Sequence, residues 1–317
     1  MEFEMQFKPL IKNPYWQTAL GSLIDFEKEL SSITHFISVE DDDLIAVEIS
    51  TPKDWREENG TIFLVHGLCG SHKSPYMKRI ARRLYKKGIK VGRINLRGCG
   101  SGKGLAKGIY HAGSSGDILS VLKHFSDNSP TLLIGFSLGG NICLKLAGEL
   151  KEEGHDFFKG IIAVCPPADL LATSDLFSSS KNQILSKRLV RELLNDIKFR
   201  QSHFAINLNN NFPSPTTLRD IDELYVAPQA NFSGALEYYY YCSANRYVRD
   251  ISLPTKILLA NDDPFISASS FDDIILPKQI ALFKSSYGGH LGFLGFNVFK
   301  EFRYLDNLVI TWVEEML

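Results

Sequence analysis

The chain of 317 residues has no unbroken apolar run near the ~20 residues that a membrane-spanning helix needs. No transmembrane segment is therefore expected. An excess of one charge is also lacking: 35 Lys and Arg against 36 Asp and Glu leave a formal net charge of -1. Bulk charge thus recruits neither nucleic acid nor an anionic membrane, and no nucleic-acid partner is expected. Met1 to Leu10 mix Glu2, Glu4 and Lys8 with apolar residues and show no secretory leader. Cysteine is sparse, with Cys69, Cys99, Cys143, Cys165 and Cys242 scattered and odd in number. That usage points to reduced thiols and a cytoplasmic setting. Cys69 and Cys99 both follow expected strands, which leaves one disulfide open. No Cys-x-x-Cys pair or His/Cys cluster has metal-ligand spacing, and no metal is expected. The glycine-rich stretch Arg97-Gly98-Cys99-Gly100-Ser101-Gly102 lacks the spacing of either nucleotide fingerprint, so no cofactor is expected. Internal repeats and low-complexity linkers are absent.

What is present is an ordinary globular composition, 44% hydrophobic and 22% charged, able to bury a large core. Eight strands are expected, over 33–39, 44–49, 62–65, 89–96, 131–134, 160–165, 256–260 and 279–283. The first two form a hairpin across the acidic turn Glu40-Asp41-Asp42-Asp43, read as a solvated turn in preference to a cation site. Several of the others are short and wholly apolar, as central parallel strands are. Helical patterns lie between them, with Tyr76, Ile80 and Leu84 on one face of the first. Residues 1–30 read as an arm packed on the domain. From 168 to 251 the alternation stops, and an apolar stripe through Leu189, Val190, Leu193, Leu194 and Ile197 marks an amphipathic helix. A loop is expected at Asn209-Asn210-Asn211-Phe212-Pro213, and a closing helix from Val298 to Leu317. The fold class is thus α/β: a single domain over 1–317, its mostly parallel sheet covered by helices on both faces, with a helical cap insertion at 168–251.

The chain is organised around Gly135-Phe136-Ser137-Leu138-Gly139, between an apolar strand and a helix. This is the G-x-S-x-G elbow, which places a serine hydroxyl at the apex of a strained turn. Serine is a weak nucleophile and needs a base, which needs an orienting acid. Two further strand ends carry Asn261-Asp262-Asp263-Pro264 and Gly288-Gly289-His290. The order Ser137, Asp263, His290 is that of a triad built on a parallel sheet. Each residue alone has a plainer role: Ser137 in an ordinary strand-to-helix turn, Asp263 as a turn former before Pro264, His290 satisfied by backbone. Position barely separates Asp263 from Asp262. Leu138 N–H and Leu68 N–H, the latter after His66-Gly67, are the expected oxyanion donors. His66 and His111 read as loop braces; a metal site from His66, His72 and His111 lacks a completing acid or thiol. Arg97 reads as a structural tie. Phe232, Leu236 and Tyr238-Tyr239-Tyr240-Tyr241 are expected to form an apolar acyl pocket.

The chain resembles the YheT-like family of α/β-hydrolases, whose members include embryogenesis-associated plant proteins and lipid-acting eukaryotic enzymes. The resemblance rests on Asn13-Pro14 with Gln17-Thr18, on His66-Gly67-Leu68-Cys69-Gly70-Ser71 with Ser74-Pro75-Tyr76, and on Asn95-Leu96-Arg97-Gly98-Cys99-Gly100. It continues through Tyr110-His111-Ala112-Gly113 with Asp117, the elbow, Tyr239-Tyr240 with Ser243, Pro254-Thr255, the stretch from Ala260 to Phe265, and Gly288-Gly289-His290-Leu291-Gly292-Phe293. Tyr15-Trp16 departs from the histidine that relatives usually carry before Gln-Thr. The resemblance implies a serine carboxylesterase acting on short- to medium-chain esters or lipids, or an acyltransferase with an alcohol in place of water. A silent ligand-binding protein on the same fold is the alternative from another class. Acyl length and oligomeric state are left open.

Overall fold

The structure, a computed structural model, describes residues 2–5, 7–23, 27–206, 212–296 and 302–317. In chain order its elements begin with β1 (Glu2–Met5), β2 (Lys8–Pro9), α1 (Pro14–Leu23), β3 (Ile33–Ser38) and β4 (Leu44–Ser50). Next come β5 (Thr61–Val65), α2 (Pro75–Lys86), β6 (Lys90–Asn95), α3 (Ser115–His124), β7 (Thr131–Phe136), α4 (Leu138–Leu150) and β8 (Gly160–Val164). Five helices follow: α5 (Leu170–Ser178), α6 (Gln183–His203), α7 (Leu218–Ile221), α8 (Ala227–Gln229) and α9 (Ala235–Cys242). The chain then returns through β9 (Thr255–Ala260), β10 (Ile280–Ser285), β11 (Gly295–Phe296) and α10 (Tyr304–Met316).

Nine strands form one sheet in the order β1-β10-β9-β8-β7-β5-β6-β4-β3. Pairing is parallel from β1 to β6 and antiparallel only where β6 meets β4 and β4 meets β3. The eight expected strands are all present; the ninth, β1, extends the far edge beside β10. A separate short pair joins β2 to β11.

The core follows from the period of two in a strand. Phe63, Val65 and Leu133 point to one face, where they meet Ile118 and Val121 of α3 and Ile142 and Leu146 of α4. Ile62, Leu64, Leu132 and Ile134 point to the other, against Met77, Ile80 and Leu84 of α2 and Val309 and Val313 of α10. Burying each such side chain contributes roughly 1.5–3 kcal/mol. With both faces covered, these strands are apolar at nearly every position, which is why they are legible as short unbroken runs.

The N-terminal arm is more regular than its sequence suggests. Asn13 Oδ1 accepts the N–H groups of Tyr15 and Trp16, and Pro14 opens α1. An Asn-Pro pair of this kind starts a helix, because proline has no N–H to waste in the first turn. The acidic turn also differs from expectation. Asp43 is buried and accepts Arg97 Nη1 at 2.8 Å and the N–H groups of Lys107 and Gly108. Arg97 also makes a bidentate pair with Asp117, so it is a tie across loops at the top of the sheet.

Between β8 and β9 the described residues hold helices and loops, with no strand. Val190, Ile197, Leu218, Ile221 and Tyr225 form their own apolar cluster there. The expected loop at Asn209-Asn210-Asn211 and the expected helix start at Val298 lie outside the described residues; the closing helix is described from Tyr304.

Candidate active site

Ser137 occupies the one-residue corner between β7 and α4, at φ 51° and ψ -122°. A side chain there is strained, and the surroundings hold it by close packing. A Cβ on Gly135 would meet Gly139 O at 2.4 Å, and one on Gly139 would meet Val65 O at 2.4 Å. Only glycine lets strand, corner and helix approach this closely.

Two loops from neighbouring strand ends complete the constellation. His290 Nε2 lies 2.9 Å from Ser137 Oγ, and His290 Nδ1 lies 2.8 Å from Asp263 Oδ2. The second oxygen, Asp263 Oδ1, accepts the N–H groups of Phe265 and Ile266 at 2.8 and 3.1 Å. An ionised Asp263 can only accept, so the proton between it and the ring belongs to Nδ1. Nε2 is then the acceptor for the Ser137 hydroxyl. The Phe265 ring stands edge-on to the imidazole at 5.5 Å.

Asp262 does something else. Its Oδ1 accepts Gly289 N–H at 2.8 Å, so it ties the histidine loop to the acid loop and does not merely close its own turn. Burial raises its pKa above the ordinary carboxylate value.

The loop after β5 is locked around Leu68. Gly67 N–H donates to Tyr76 Oη at 3.0 Å and Cys69 N–H to Tyr110 Oη at 2.9 Å. Leu68 N–H, between them, and Leu138 N–H, at the start of α4, donate to no acceptor among the described residues. A Cβ on Gly67 would come within 3.0 Å of Ser137 Cβ, so this loop backs directly onto Ser137. His66 braces the same loop. Its Nε2 accepts Leu96 N–H, which leaves Nδ1 to donate to Gly67 O at 2.7 Å. Complete burial lowers its pKa to about 4, so the ring stays neutral.

Burial likewise lowers the pKa of His111 to about 4, and its Nδ1 accepts Gly113 N–H. The His72 ring faces Asn95 and Glu29. His66, His72 and His111 thus bond to separate partners. Among the described residues, a different set converges: ligand atoms of Cys165, Asp263 and His290 lie within 4.8 Å of one another. Cys165 follows β8, and burial, reinforced by the charge of Asp263, pushes its thiol pKa well above the ordinary value. It is a neutral neighbour of the acid. All five cysteines, Cys69 and Cys99 included, are free.

A cavity of about 780 Å³ runs from Ser137, His290, Leu68 and Leu138 under the helices that follow β8. Phe177, Leu185, Leu189, Leu193, Ile197 and Phe265 make its walls largely apolar. Tyr238 and Tyr239 line it as expected, whereas Phe232 and Leu236 do not. Leu236 is 67% exposed, and Phe232 stacks outside on Tyr241. On a helix, four consecutive tyrosines cannot share a face, so Tyr240 and Tyr241 turn to solvent. Polar groups also line it, among them Asp222, which accepts the Tyr239 hydroxyl at 2.6 Å. Burial raises the Asp222 pKa to about 7.

Two side chains of α1 also reach the histidine loop. Thr18 Oγ1 accepts His290 N–H at 2.8 Å, and Gln17 bonds both backbone groups of Leu294. The Gln17-Thr18 pair carries no chemistry of its own to flag it in the sequence.

The model of the alpha/beta hydrolase fold family matches residues 60–295. The chain is 26% identical to YheT of Escherichia coli (strain K12), over 98% of this chain and 94% of that one. It is 25% identical to medium-chain fatty acid ethyl ester synthase/esterase 2 of Saccharomyces cerevisiae (strain ATCC 204508 / S288c), over 74% of this chain and 58% of that one. Among solved structures, the esterase Pf2001 of Pyrococcus furiosus is similar with a TM-score of 0.57 at 16% identity, covering 90% of this chain and 93% of that one.

Proposed function

The chain belongs to the alpha/beta hydrolase fold family, and from that membership we propose that it is a serine carboxylesterase working through an acyl-enzyme. The observation that carries the reading is the unbroken hydrogen-bond chain Asp263–His290–Ser137 at one end of an apolar cavity.

In this reading Ser137 Oγ attacks the ester carbonyl carbon while His290 Nε2 takes its proton. Asp263 holds the ring tautomer and stabilises the imidazolium that forms. The carbonyl oxygen, now an anion, accepts from Leu68 N–H and Leu138 N–H. Each such donor contributes on the order of 10²–10³ in rate. The intermediate collapses, the ester C–O bond breaks, and the alcohol leaves with the proton from His290. Water then attacks the acyl carbon as it gives a proton to the same nitrogen; the bond from that carbon to Ser137 Oγ breaks, the proton returns from His290 to Oγ, and the carboxylic acid is released.

Residues 168–251 act in this reading as a cap whose helices supply the acyl pocket. The cavity's apolar walls support short- to medium-chain acyl esters or lipids as substrates. Alcohol in place of water would give acyl transfer, a reading supported by the synthase/esterase name of the yeast relative. Free cysteines support a reducing, cytoplasmic setting; no described helix is long and apolar enough to cross a membrane. The test is intact-mass analysis after mixing with a slowly deacylating ester. One acyl group on the Ser137 peptide is expected, and an unmodified Ser137 during turnover contradicts the reading.

A further inference from the structure

The loop that carries His290 cannot hold its own shape. Gly289, Leu291 and Phe293 have φ of 53°, 62° and 41°, and two of the three carry side chains. Backbone of this kind costs of order 1–3 kcal/mol per strained residue and persists only when its surroundings over-determine it. Within the loop the restraint is slight: Phe293 N–H donates to Gly288 O. The other restraints come from outside: Asp262 accepts Gly289 N–H, Asp263 meets the His290 ring, Leu10 N–H donates to Leu294 O, and three further hydrogen bonds come from α1.

Thr18 Oγ1 accepts His290 N–H at 2.8 Å and donates its own proton to Pro14 O at 2.8 Å. The hydroxyl is thereby oriented by its own helix. Gln17 is fully buried; its Oε1 accepts Leu294 N–H at 2.7 Å and its Nε2 donates to Leu294 O at 2.9 Å. The side-chain amide thus pairs with the loop as a neighbouring strand would. The backbones are in direct contact as well. A Cβ on Gly21 would meet Gly292 Cα at 2.8 Å, and one on Gly292 would meet Gln17 O at 2.3 Å. Below this crossing, β2 pairs with β11 and closes the same end of the loop.

We propose that α1 is a clamp on the catalytic loop, with Thr18 and Gln17 acting as positioning residues that fix the His290 imidazole between Asp263 and Ser137. The helix lies outside residues 60–295, the stretch that the fold family's model matches. Neither residue touches the reacting atoms through this contact. They act through the main chain at His290 and Leu294. The proposal rests on the esterase reading.

The test compares Thr18→Val, which loses the acceptor at nearly constant shape, with Thr18→Ser, which keeps it. The rate of Ser137 labelling by a fluorophosphonate reads the Ser–His pair without using the acyl pocket. Thr18→Val is expected to label ~10- to 100-fold more slowly, the scale of an ångström-sized misplacement. Its kcat should fall with KM nearly unchanged, and its downfield His290 Nδ1 proton signal should shift or broaden. Thr18→Ser should restore all three. If Thr18→Val folds poorly, Gln17→Glu, which loses the Nε2 donors to Leu294 O and to Ile11 O while keeping the Oε1 acceptor for Leu294 N–H, should move the same readouts in the same direction. Labelling at the wild-type rate by folded Thr18→Val, or by Gln17→Glu in its place, overturns the clamp, as does a Thr18→Ser variant no better than Val. A wild-type protein that does not label at all overturns the esterase reading itself.

Discussion

Asp262 and Asp263 are adjacent in the chain, yet they hold two different parts of the same partner loop. Asp263 Oδ2 meets the ring of His290, whereas Asp262 Oδ1 accepts the backbone N–H of Gly289, one residue earlier. Both lie in the turn that follows β9, where Asp263 N–H donates to Ala260 O. One carboxylate therefore orients the imidazole and the other orients the backbone that carries it.

Asp263→Asn is accordingly expected to lower kcat by up to ~10⁴, the scale seen when the orienting acid of a serine triad becomes an amide. Asp262→Asn keeps an oxygen for Gly289 N–H and should lose about tenfold or less. Steady-state kinetics on one activated ester checks the order. The reverse order would reassign the acid to Asp262.

Acyl length should matter through the cavity wall. Each buried methylene contributes up to ~0.8 kcal/mol, so kcat/KM should rise several-fold from acetate to about hexanoate. Leu193 lines that wall, and Leu193→Trp should move the optimum toward shorter chains. A steady preference for acetate in both proteins sinks the assignment of this cavity to the acyl group.

Stability should carry the mark of Asp222. Its carboxyl has a pKa of about 7 in the folded chain against an ordinary 3.8, raised by burial despite the Tyr239 hydrogen bond. Between those values the folded state holds a proton that the unfolded state has lost, so this group makes stability fall as pH rises from about 4 to about 7. Asp222→Asn removes the dependence. The variant's Tm should gain on wild type progressively across that window and stay ahead at pH 8. Parallel Tm curves for the two proteins contradict it.

Arg97 bridges Asp43 and Asp117 where all three side chains are buried. Removing the cation strands two carboxylates in a poorly solvated site, and breaking such a pair costs ~3–5 kcal/mol. Arg97→Met should show a loss of that size in urea unfolding. A loss under about 1 kcal/mol, the scale of an exposed pair, means that water reaches the network.

Much of this was legible in the chain because the physics there is local. The apolar runs through Leu64 and Leu133 announce buried parallel strands, and the glycines around Ser137 announce a tight corner. What was not legible depends on partners far away in sequence. β1 is a strand only because β10 lies beside it. Asp43 looks like one more acid in a solvated turn until Arg97, fifty-four residues on, pairs with it. Tyr238 and Tyr239 differ from Tyr240 and Tyr241 only in the direction α9 turns them. The Asn13-Pro14 start of α1 is a readable capping signal, but nothing in Gln17 or Thr18 says that they meet His290.

The central claim is that Ser137 is the nucleophile, and turnover of an activated ester by Ser137→Ala tests it most directly. The account predicts that kcat drops to the residue left by oxyanion donors and binding alone, ~10³–10⁴ over water, with the fold and Tm retained. Near wild-type turnover by folded Ser137→Ala contradicts it.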